Sequence, residues 1–171
     1  MGVDPLRRPE ELIRRVYSYV AYRIGDGPEA EDVTSSTFER ALRYRSSFDP
    51  AKGSAQAWVL GIARTCIADH FKGGHAAGAE VHDVRASGNL EAEALERLTV
   101  QAAVARLGER DRELVALRYG ADLKVREIAE LFGERTNTIE VALHRALARL
   151  REDLSAERSA GEPSASPSEA L

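Results

Sequence analysis

Groups capable of covalent or metal chemistry are few in this sequence. It contains one cysteine, Cys66, and four histidines, His70, His75, His82 and His144. Cys66 lies beside Ile67 in an apolar helical stretch, the setting of a buried structural thiol rather than a nucleophile. A single thiol also excludes an internal disulfide framework and a thiolate zinc cluster. No two histidines have the H-x-x-x-H spacing that sets a pair of imidazoles on one helix face. Gly73-Gly74 follows a helix rather than a strand, so it does not read as a phosphate-cradling loop. The expectation is a protein without cofactor or metal that is not an enzyme. Charge is the chemistry that remains. Arg135, Arg145, Arg149 and Arg151 gather near one end of the chain, among small and amide side chains, which suits a nucleic-acid partner.

The net charge of −4 conceals an uneven distribution. Residues 1–72 hold 11 basic and 10 acidic groups, and residues 97–151 hold 11 basic against 8 acidic. The acidity lies in 73–96 and 152–171, each net −4. Two weakly positive bodies flanked by acidic segments can still bind nucleic acid locally. No apolar run approaches the ~18–20 residues that cross a bilayer, and no signal-peptide h-region is visible. With one cysteine, a soluble protein of a reducing, cytoplasmic compartment is expected, with no membrane partner.

The elements that must position those groups are helical. Ala, Leu, Arg and Glu dominate, aromatic residues make up 6%, and β-branched residues are sparse, so the fold class is all-α. Leu12, Ile13, Val16, Tyr19 and Val20 recur at helical spacing, giving a helix over about Pro9–Ile24 that Gly25-Asp26-Gly27 stops. Pro28 opens a second through Val33, Thr37, Phe38, Ala41 and Leu42. A third starts at Ser54 and carries Trp58, Ile62, Ala63 and Ile67 along one face. Trp58 reads as core rather than as a stacking platform. From Gly73 through Ser87-Gly88-Asn89 no helical period is sustained, a stretch too long for a tight connection within one compact domain. Further helices follow near Leu90–Leu107, Arg110–Tyr119, Val125–Phe132 and Thr136–Asp153. The Ser/Pro/Ala/Glu-rich end is expected to be disordered.

A short helix, a glycine-containing turn and a longer helix form the helix-turn-helix pattern. On the last helix Ile139, Leu143, Ala146, Leu147 and Leu150 fall within one arc at 100° per residue. Asn137, Val141, His144, Arg145 and Ala148 occupy the opposite arc. The same pattern describes an amphipathic hairpin whose polar face meets only water. The shortness of the first helix, the arginine cluster and the small and amide side chains on the outer arc favour DNA. Thr136 or Thr138 can cap the start, where backbone N–H groups favour a phosphate.

Several stretches resemble the extracytoplasmic-function group of sigma factors, the promoter-recognition subunits of bacterial RNA polymerase. Pro28-Glu29-Ala30-Glu31-Asp32-Val33, continuing to Thr37-Phe38-Glu39-Arg40-Ala41, is similar to that family's "AEDV…TF-x-RA" helix. Ala57-Trp58-Val59-Leu60-Gly61-Ile62-Ala63-Arg64, with Asp69-His70, is similar to its "W-L-x-x-IAR…D" helix. Leu107–Tyr119, Val125–Gly133 and Leu143–Arg151 resemble its second domain. The resemblance implies a region 2-like domain over 1–72, a flexible acidic linker over 73–90, a region 4-like helix-turn-helix domain over 91–153 and a disordered tail over 154–171. It implies that Asp32, Val33, Thr37, Phe38 and Arg40 contact core polymerase, although Phe38 reads equally as core. Arg64, Thr65, Asp69, His70 and Lys72 would meet the single-stranded minus-ten element. Arg135, Thr136, Asn137, Val141, His144, Arg145 and Arg149 would meet the minus-thirty-five element. The implied partners are the clamp coiled-coil of the largest polymerase subunit and the flap, promoter DNA and an anti-sigma factor.

The sequence departs from the family at three places. Thr65 stands where many relatives have Asn after Ile-Ala-Arg, and Ser35-Ser36 replaces Gln followed by an acid. Ile139-Glu140-Val141-Ala142 stands where relatives often read Val-Lys-Ser-Arg, which alters the expected upstream preference. Val141 could meet a thymine methyl and Asn137 an adenine edge. Two other functions compete: a stand-alone helix-turn-helix regulator, needing only 97–151, and a polymerase-binding antagonist that reads no DNA.

Overall fold

The computed structural model describes residues 4–73 and 89–161. Among these residues there is no strand, and no described helix is long and apolar enough to cross a membrane. The chain forms α1 (Pro9–Ile24), α2 (Pro28–Arg43), a 3-10 turn (Arg45–Ser47), α3 (Ala55–Lys72), α4 (Asn89–Arg106), α5 (Glu109–Val115), α6 (Val125–Phe132) and α7 (Thr136–Gly161). A π-turn over Ala116–Gly120 prolongs α5.

Local chemistry sets most of these boundaries. Pro9 and Pro28 open α1 and α2 at first-turn positions, each followed by acidic groups that suit the positive helix end. Ser54 Oγ accepts from Ala57 N at 3.2 Å and caps α3. At the start of α6 the Glu127 carboxylate accepts from Lys124 N at 2.9 Å. Gly133 ends α6 at φ +64°, a left-handed conformation that side chains with a Cβ adopt at a cost. The chain then turns directly into α7.

Helices α1–α3 pack around Val16, Val20, Val59, Leu60, Ala63 and Ile67. Leu114, Leu117, Leu123, Ile128, Ile139 and Leu143 line the helix-turn-helix side. These sets form one continuous cluster, because α1 packs on the π-turn and α3 on α6. Burying each of the larger side chains contributes ~1.5–3 kcal/mol, upper estimates since the unfolded chain also buries some surface. The sequence pattern suggests two bodies on a tether, and here the described parts of both share a core. Helical periodicity reports which face of a helix is apolar, not which partner covers it.

The linker expected over 73–90 lies, for residues 74–88, outside the described residues, as do residues 162–171. The tail expected from 154 is corrected over its first part, since α7 continues to Gly161. Arg106 on α4 holds that extension, reaching Asp153 at 3.7 Å and Glu157 at 2.7 Å.

Candidate functional site

The helix-turn-helix is built from α6 and α7. Ile139, Leu143 and Ala146 are buried, so they dock α7 onto α5 and α6. Thr136, Asn137, Val141, His144 and Arg145 are exposed, and Val141 keeps 42% of its surface in contact with solvent. An apolar side chain left so open on a polar face is available to an apolar group such as a thymine methyl. Arg135 is exposed at the entry to α7. Arg149 is bound by Asp111 of α5, so this cation fastens α7 to its own domain as well as facing outward. Arg110 likewise grips Glu134 in the turn at 2.7 Å, which holds the Glu134 carboxyl below the usual carboxylate range. Helix α5 thus holds both α7 and the turn that precedes it.

The α2 set divides by burial. Asp32 is exposed, while Phe38 is half-buried against the core. Val33 and Thr37, expected among the polymerase contacts, are buried, and the Thr37 hydroxyl donates to the Val33 carbonyl at 2.8 Å. They lie on the inner arc of α2, turned toward the core. Arg40 bridges to Asp69 of α3 at 2.9 Å, so one residue from each of two expected binding sets is tied to the other. His70 Nε2 approaches Glu29 of α2 at 3.3 Å. Thr65 and Lys72 are exposed. Trp58 is partly buried and packs on Phe48, ring centroids 5.6 Å apart.

Arg64 has a different environment from its companions on α3. Its Nε pairs with Glu113 of α5 at 2.5 Å, a terminal nitrogen donates to the Leu131 carbonyl at 3.4 Å, and the guanidinium lies 4.6 Å from the Phe132 ring centre. Tyr19 donates its hydroxyl to the same Glu113 carboxylate at 3.4 Å. Burial, with Glu113 nearby, pushes the Tyr19 phenol well above its ordinary range, so it remains a donor. Beside this pair Arg23, its side chain almost wholly buried, is bound to Glu109. The pairings of Arg64 with Glu113 and of Arg23 with Glu109 are not legible in the sequence, because each spans dozens of residues and leaves no local pattern. Among the described residues no cluster of His, Cys, Asp and Glu could hold a metal ion.

Comparison with known proteins accords with this geometry. Sigma-70 region 2 matches residues 10–75, and Sigma-70, region 4 matches residues 97–150. The chain is 36% identical over 149 residues to the ECF RNA polymerase sigma factor BldN of Streptomyces coelicolor, covering 81% of this chain and 56% of that one. It is 27% identical to the ECF RNA polymerase sigma factor SigL of Mycobacterium tuberculosis, covering 80% of each chain. It is 26% identical to the ECF RNA polymerase sigma factor SigW of Bacillus subtilis, over 82% of this chain and 83% of that one. In fold it is similar to the sigma factor RpoE of Bartonella quintana, solved with the anti-sigma factor NepR: TM-score 0.64, 19% identity, covering 84% and 92% of the two chains. CnrH, solved with the cytosolic domain of CnrY, gives a TM-score of 0.60 at 23% identity, covering 91% and 85%.

A three-helix region 2 followed by a helix-turn-helix region 4 defines a sigma-70-type transcription initiation factor, which is not an enzyme. Within that class BldN, SigL and SigW are all ECF RNA polymerase sigma factors. The chain belongs to the extracytoplasmic-function (ECF) sigma factors.

Proposed function

We propose that this chain binds core RNA polymerase and directs promoter-specific transcription initiation from the cytoplasm. Residues 1–72 act as region 2 and residues 91–153 as region 4. The outward face of α2, with Asp32, Phe38 and Arg40, meets the clamp coiled-coil, and the helix-turn-helix domain meets the flap. Arg64, Thr65, Asp69, His70 and Lys72 of α3 serve the minus-ten element. Arg135, Thr136, Asn137, Val141, His144, Arg145 and Arg149 serve the minus-thirty-five element. The observation that carries this reading is the split of α7, whose apolar arc is docked while Asn137, Val141, His144 and Arg145 stand free. The anti-sigma proteins bound to RpoE and CnrH support a partner of that class here.

Run-off transcription on genomic fragments, with purified core polymerase and with or without the chain, tests the proposal. Discrete new start sites that depend on the chain are expected. The small positive excess of each domain releases few counterions, so the chain alone should bind duplex DNA poorly. Tight, salt-resistant operator binding without polymerase would instead identify a stand-alone regulator.

A further inference from the structure

We propose that Glu140 is a specificity residue of α7, its carboxylate accepting the N4 amino group of a cytosine in the minus-thirty-five element. The inference rests on the proposed reading of that element by α7 and names the base that an acid there selects. Residues 97–151 hold 8 acidic groups. All but one have a partner: an arginine for most, and the Lys124 backbone N–H for Glu127. The exception is Glu140. It is exposed, and among the described residues its carboxylate makes no ion pair or hydrogen bond.

Helix stability does not account for this carboxylate. Glu140 lies beyond the first turn of α7 (Thr136–Gly161), where the gain from the positive helix end has faded. Its neighbours one turn away are Thr136, Asn137, Leu143 and His144, so no lysine or arginine supports it along the helix. Its bearing, by contrast, is that of a reading residue. At about 100° per residue it stands roughly 60° from Asn137 and 40° from His144. It borders the exposed arc on one side as Arg145 borders it on the other. Arg145 suits a phosphate; an acid in the same groove is repelled by the phosphates of both strands.

A carboxylate there is favourable only against a donor on a base edge. In the major groove cytosine presents the N4 amino donor alone, whereas adenine sets its N6 donor beside the N7 acceptor. Guanine offers the acceptors N7 and O6, and thymine offers O4 and a methyl group. Cytosine therefore satisfies Glu140, while guanine and thymine leave a desolvated charge facing an acceptor or a methyl. The acid selects by exclusion as much as by attraction. One read position of this kind discriminates by roughly 5–150-fold.

The test is selection from a randomised upstream element on holoenzyme assembled from core polymerase and the full chain. Wild type, Glu140→Gln and Glu140→Lys are compared, with Val141→Ser and Asn137→Ala alongside. Wild type should favour cytosine at one position by about fivefold or more. Glu140→Gln should move that position to adenine, which a carboxamide pairs at N6 and N7, and Glu140→Lys should move it to guanine. Other positions and the helical content by circular dichroism should stay as in wild type, because Glu140 supports no neighbour. Retention of the wild-type preference by the near-isosteric Glu140→Gln overturns the inference. A uniform gain in affinity for every sequence also overturns it, since the acid then only repels. Base reading by α7 survives either result if Val141→Ser or Asn137→Ala shifts a preference. If neither does, that reading fails and the role of Glu140 falls with it.

Discussion

Ile139 and Val141 sit two residues apart on α7 and test whether its two faces have separate duties. Ile139 is fully buried, whereas Val141 is 42% exposed. Ile139→Ala removes buried carbons and leaves a cavity, which costs ~2–4 kcal/mol. At ~2–4 °C per kcal/mol for a chain of this size, that lowers the melting temperature by roughly 4–16 °C. Val141→Ser touches no core and should stay within ~0.5 kcal/mol of wild type. In reading DNA the order reverses. Loss of a methyl contact should change preference at one base pair by ~1–3 kcal/mol, or about 5–150-fold, and Asn137→Ala should do the same at a neighbouring position. Folded Ile139→Ala protein should keep wild-type preference. Arg145→Ala should weaken all sites alike, as expected of a phosphate contact. Thermal unfolding by circular dichroism supplies the first quantity, and selection from a randomised upstream element on assembled holoenzyme the second. Unchanged base preferences in both the Val141 and Asn137 variants would refute base reading by α7 and turn this domain into a protein-contact module.

Three further outcomes are expected. Asp32→Lys, at an exposed position of α2, should abolish co-purification with core polymerase at unchanged helicity, since a polar partner lost at an interface centre costs ~2 kcal/mol or more. Gly133→Ala places a Cβ at φ +64° and should cost ~1–2 kcal/mol, read as a fall in melting temperature of about 2–8 °C. Arg23 holds the Glu109 carboxyl below its ordinary value of 4.5. The unfolded chain therefore takes up the proton first as pH falls, so the stabilisation is complete above 4.5 and is lost as pH falls through the lower folded value. Stability contributed by this pair should be flat through neutral pH and decline only in acid, and Glu109→Gln should remove that decline from a pH series of unfolding curves.

The parts of this molecule legible in sequence are those governed by neighbours along the chain. Helix α6 falls at Val125–Phe132 and α1 at Pro9–Ile24, as apolar spacing, prolines and glycines predict. The two arcs of α7 also separate as its 3.6-residue period predicts. Local likeness to a motif is weaker guidance to a surface. Val33 and Thr37 occupy motif positions, yet they are buried, because apolar and small residues at helical spacing in a motif serve packing as readily as contact.

Pairing between residues far apart in the chain is harder to read for a reason of number. Arg64 precedes Glu113 by 49 residues, and Arg23 precedes Glu109 by 86. With 24 cations and 28 acids in the chain, spacing alone selects no pair from among so many. Gly120 is similarly mute in sequence. It reads as a helix stop, and only the approach of α1 reveals that its missing side chain matters to another domain. The residues that join α1 and α3 to α5, α6 and the π-turn are thus the least visible ones in the sequence.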